Sequence, residues 1–213
     1  MHRSSSSAAA GVVAAVEAKP TPAAPDAVCP AAAAAVSLLE QCDRFVGSID
    51  DASYARTSAA MMGGTIGKHV RHCLDHFAAI VAAMQDGGVI DYDRRLRDVP
   101  METDRAEARR AISGLVASLR AIDASATSTP VTVRVMLSAD GAEASLSSTL
   151  ARELAFASHH AVHHHAMMKV IADELGLPCP EGFGKAPSTL NHEQKSAAPA
   201  AADGEGEGRR ARA

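Results

Sequence analysis

Eight of the chain's ten histidines fall in two windows, Gly67 to Phe77 and Ser158 to Ala166, and both windows lie in segments of helical period. A buried imidazole is costly without a partner. A helix that carries several of them on its apolar side can enter a core only where something answers them. In the later window, SHHAVHHHAMM, residues four apart sit about 40° apart around a helix axis, so they point the same way. Two pairs arise, His159/His163 and His160/His164. With His160 as origin, His164 falls near about 40°, Ile171 near about 20° and Ala157 near about 60°. His160 and His164 therefore share the apolar face, whereas His159 and His165 fall toward its flanks. Glu153, two turns earlier, also looks inward. In the first window, GKHVRHCLDHF, the residues His69, His72 and His76 lie within about 60° of one another, beside the apolar stripe.

Four segments carry a helical period. The first, Ala31 to about Ile49, repeats Val36, Leu39, Val46 and Ile49. The second follows Gly63-Gly64, takes Thr65 as its N-cap, and runs to Gln85 before Asp86-Gly87-Gly88. The third opens after Pro100 and repeats Ile112, Leu115, Leu119 and Ile122. The fourth runs from about Ser148 to Leu175, and Gly176 and Pro178 stop it. Between the last two the period becomes two: Val131, Val133, Val135 and Leu137 alternate with polar residues. Asp140-Gly141 then turns the chain into a return strand, Glu143 to Ser147. These elements predict an all-α fold, a four-helix bundle with a small β-hairpin between the third and fourth helices. The bundle is expected over residues 31–190. An Ala/Ser/Pro-rich leader (1–30) and a tail (191–213) lack any apolar face and are expected to be disordered.

A formal charge of −4 and the lack of a long basic run argue against a nucleic-acid partner. No stretch approaches the roughly 18 apolar residues that a bilayer crossing needs. Four scattered cysteines without a CxxC pattern fit a reduced, cytoplasmic protein. The leader, which has no acidic residue before Glu17, leaves an organellar or export address as the alternative. Cys73, next to His72, reads as core packing more readily than as a nucleophile.

A divalent cation answers the cost of burying inward imidazoles, and histidines at i, i+4 are a common way to hold one. A third ligand from the first window leaves one coordination position open, as a catalytic site requires. A lone HxxxH also arises on solvated faces, but two histidine-dense helices with a pair on the core stripe are a stronger signal. The Glu-x-x-His element of di-iron bundles is absent. The loop IDYDRRLRD reads chiefly as an ion-pair network. Its alternative is an arginine clamp for a carboxylate-bearing substrate or thiol cofactor, with Arg94 and Arg97 as the binding pair.

GGTIGKHVRHCLDHF, ARELAFASHHAVHHHAMM, IDYDRRLRD and FGKAPSTL together resemble the DinB-like (YfiT-type) family over about residues 36–190. The resemblance implies a four-helix bundle with one divalent metal on three histidines, among relatives that include thiol-dependent transferases. Matched to the family's motifs, the ligands are His72, His160 and His164, although the helical wheel places His69 and His76 nearer the stripe. The metal is zinc most simply, with nickel or iron as alternatives. The expected function is a metal-dependent enzyme of hydrolase or thiol-dependent transferase type acting on a small molecule. Glu153 and His76 would assist in proton transfer. The alternative is a non-catalytic bundle with a structural metal or an interaction role, including homodimer formation.

Overall fold

A computed structural model describes residues 29–94 and 99–197. The leader up to residue 28, Arg97 and the tail from residue 198 lie outside the described residues, whereas residues 191–197, assigned to the tail by the sequence, are helical.

Among the described residues, six α-helices and three strands follow in chain order: α1 (Pro30–Ser48), α2 (Asp51–Ala55), α3 (Ile66–Gln85), β1 (Val89–Asp91), α4 (Arg105–Arg120), β2 (Pro130–Met136), β3 (Glu143–Thr149), α5 (Leu150–Leu175) and α6 (Pro187–Ala197). Short 3-10 turns at Pro100–Glu102 and Ala124–Ser128 precede α4 and β2. The helix ends follow from local chemistry. Thr65 Oγ1 accepts the Lys68 N–H at 3.1 Å and opens α3. α4 starts only at Arg105, later than Pro100 alone suggests, because Asp104 Oδ1 takes the Ala106 and Glu107 N–H groups at 2.8 and 3.0 Å. α5 ends at Gly176, whose φ of 67° is left-handed, and Leu177 donates back to the Ala172 carbonyl at 2.8 Å.

The expectation of an all-α fold is corrected here: the chain mixes helices with a three-stranded sheet ordered β1-β2-β3. β2 and β3 form the antiparallel hairpin, with Val133 opposite Leu146. β1 adds to it in parallel, with Ile90 opposite Val133. A parallel neighbour requires a long crossover, and α4 supplies it. Three residues are too few to display a period of two, so β1 leaves no pattern in the sequence. Ile90, Val131 and Val133 are buried on one face of the sheet.

α1 packs against α4 and α5, and α3 packs against the same two helices. Phe45, Leu39, Phe77, Ile80, Leu119 and Leu154 fill the space between them. The loop before α3 is tied to the far end of α5. The Glu174 carboxylate accepts from the Ser58 hydroxyl and from the Ala59 and Ala60 N–H groups, the latter two at 3.0 and 3.3 Å. This tie joins the chain leading into α3 to the C-terminal end of α5.

Candidate metal site between α3 and α5

His72 and His76 from α3 meet His160 from α5. One ring nitrogen of each lies within 4.8 Å of the others. His76 Nδ1 stands 3.0 Å from the His72 carbonyl oxygen, so that nitrogen carries the proton and donates. The lone pair of His76 is thereby placed on Nε2, the tautomer a metal ligand needs. His160 Nε2 and His72 Nε2 face each other at 2.9 Å. Two imidazoles so close cannot both carry a proton between them, so at least one presents a lone pair. The His76 and His160 rings also stack, with centroids 4.1 Å apart.

A second pair extends the cluster. His69 Nδ1 and His164 Nδ1 are 3.0 Å apart, and His69 Nε2 is a buried nitrogen without a hydrogen-bond partner. The His164 ring lies 4.6 Å from both His72 and His160. Burial, then the neighbouring His72, His160, His69 and His163, lower the His164 pKa to about 3, so it is neutral near pH 7. Five imidazole rings in one interhelical seam are a donor set that fits a borderline-soft divalent ion.

A second layer supports the rings. Tyr92, after β1, stacks on His76 at 4.9 Å, and its hydroxyl donates to Glu153 Oε2 at 2.7 Å. Glu153 is fully buried and also accepts from Ser148 Oγ at 2.5 Å and from Arg152 at 2.7 Å. Phe156, one turn before His160, flanks His76 and His160 at 6.1 and 6.0 Å.

The structure therefore brings together His72, His160 and His164, and it sets a ring nitrogen of His76, expected as an assisting residue, within 4.8 Å of one on each of the first two. Glu153 reaches the cluster through Tyr92. Arg94 sits after β1, its N–H donating to Asp91 at 3.0 Å, and lines a separate groove with Asp75, Asp86 and Arg134; Arg97 lies outside the described residues. His165, assigned to a flank, is 1% exposed. The reason is the segment after α5, which folds back and stacks Phe183 on the His165 ring at 4.6 Å. A helical wheel describes one helix and cannot register a chain segment laid over its other face. Tyr92 and Phe156 were the missed supports; Phe156 at i−4 from His160 was a visible signal, whereas Tyr92 arrives through the sheet. Cys73 is buried and its thiol is pushed well up by burial, consistent with packing.

No family model matches the chain. It is 38% identical over 108 residues to FK506-binding protein 5 of Rhizopus delemar, an alignment covering 50% of this chain and 28% of that protein. The chain thus spans little more than a quarter of this relative's length. No solved structure matches. These findings overturn the DinB-like resemblance and, with it, the expected hydrolase or thiol-dependent transferase. The case for a metal therefore rests on the ring geometry. Among the described residues no helix is long and apolar enough to cross a membrane.

Proposed function

We propose that this domain binds one divalent metal ion, zinc most simply and otherwise nickel or iron, through His72, His76 and His160. His164 adjoins them as an exchangeable neighbour. The observation that carries the reading is the convergence of three ring nitrogens within 4.8 Å across two helices, with the tautomer of His76 set by its bond to the His72 carbonyl. Ligand orientation of this kind by a backbone acceptor is a common feature of metal-holding histidines. Elemental analysis of untagged protein is expected to give about one equivalent of metal per chain, and His72→Ala or His160→Ala to lose it. Full retention by both variants would falsify the site. Because a ligand that binds only the native state stabilises it by roughly 2.7 kcal/mol at a hundredfold excess over Kd, added zinc should raise the Tm of the parent and not of His160→Ala.

A second reading draws on the Rhizopus relative, whose name speaks of FK506 binding. In it, the chain serves a peptidyl-prolyl isomerase or chaperone-like role. Uncatalysed isomerisation before proline takes tens to hundreds of seconds, so catalysis is readily measured on a proline-containing peptide. Acceleration that FK506 abolishes supports this reading, and an unchanged rate with metal-loaded protein removes it.

A further inference from the structure

We infer that a cavity on the opposite side of α5 from the histidine seam binds a medium-chain fatty acid. The cavity, of about 350 Å3, opens between α1, α5 and the turn leading into α6. Its volume falls at the lower end of the roughly 300–1,000 Å3 of small-molecule sites. The floor is aliphatic, made by Ala34 and Leu38 of α1, Ala155 and Val162 of α5, and Leu190 of α6. Leu190 is held over it by the tight turn at Gly182, whose φ is 72°.

The formally charged groups around this floor are of one sign, and Ser37, Gln41 and Ser158 add uncharged polar atoms. Arg44 and Lys185 line the cavity together with His159, and no acidic residue is among the described residues that line it. In a chain of net charge −4, an apolar floor bordered by basic and not acidic side chains is a local reversal of the surface. Lys185 is bonded to Glu193 at 2.8 Å on an exposed turn of α6. Arg44 makes no ion pair among the described residues, whereas Arg109 and Arg120 on α4 hold Asp43 and Glu40 of α1. An aliphatic slot ending at an unmatched guanidinium selects a ligand with an apolar body and a carboxylate head. An amine head would meet like charge, and an uncharged head would leave the guanidinium unanswered. Phosphate or sulfate alone would leave the apolar floor uncovered.

Calorimetric titration of the untagged full chain tests this with decanoate, decylamine and decan-1-ol. One decanoate per chain is expected, with decylamine and the alcohol each weaker by about tenfold or more. Arg44→Glu, an exposed change that leaves the core intact, should weaken decanoate by a similar factor. Ala34→Trp, also on an exposed position, should abolish binding by filling the slot. His160→Ala should bind decanoate as the parent does, which separates this site from the metal site. No heat with decanoate overturns the proposal, as does equal binding of decylamine, or parent-like affinity in both Arg44→Glu and Ala34→Trp.

Discussion

Glu153 is a carboxylate with no solvent exposure. Burial opposes its charge, but hydrogen bonds from Ser148, Arg152 and Tyr92, aided by the Arg152 charge, outweigh burial and hold its pKa below the ordinary carboxylate value. A depressed native pKa means that the unfolded chain takes up the proton first. The group's stabilisation is therefore complete above its unfolded pKa of about 4.3 and is lost as pH falls through the lower native value. Glu153→Gln is expected to cost about 1–3 kcal/mol at pH 7 and to flatten the acid limb of the stability profile. Urea unfolding at neutral and acidic pH checks both; a variant as stable as the parent at pH 7 sinks the argument. Tyr92→Phe should cost about 1–2 kcal/mol by orphaning one buried oxygen, with metal stoichiometry unchanged. That Glu153 points inward was legible from its place on the apolar stripe. Its partners were not, because Tyr92 reaches it from the other end of a sixty-one-residue separation.

At the level of elements, the sign of one substitution is set by packing. Gly67 lies in the first turn of α3, where alanine ordinarily stabilises a helix by roughly 1 kcal/mol over glycine. Here a Cβ would stand 2.0 Å from the Glu102 carbonyl oxygen and 2.8 Å from Tyr54 Cε1. That turn has little room to yield. Arg71 of α3 pairs with the Glu102 carboxylate, and the Tyr54 hydroxyl donates to the Met101 carbonyl at 2.7 Å. Gly67→Ala is expected to destabilise by about 1–3 kcal/mol, and a rise in the urea midpoint would overturn the packing account. The long helices and the hairpin were readable from the chain, since each combines a period with a cap or turn residue. α2, β1 and α6 were not. α2 has five residues and β1 three, too short for a period, and α6 buries no side chain, so it has no apolar stripe to read.

For the molecule as a whole, the segment after α5 closes the structure. Phe183 is 2% exposed, with its ring 4.7 Å from Phe45 of α1 and stacked on His165 of α5. Gly184 passes so close to α5 that a Cβ would fall 2.7 Å from the Ala166 backbone. No side chain of α6 is fully buried, so the buried Phe183 is the main anchor of this segment. Phe183→Ala should cost about 3–5 kcal/mol and speed amide exchange over residues 181–197, read by mass spectrometry. Slow exchange retained there would show that α6 has another anchor. The sequence by itself determined the local conformations, because helical period, capping side chains and left-handed glycines act within a few residues of one another. It also placed His160 and His164 on one face of one helix. Only the tertiary structure decided which imidazoles meet, since that depends on how α3 packs against α5. It alone added β1 to the hairpin, turning an expected all-α chain into a mixed one, and buried His165 beneath a returning segment. Those outcomes rest on contacts between residues far apart in the chain, which no periodicity within a single element encodes.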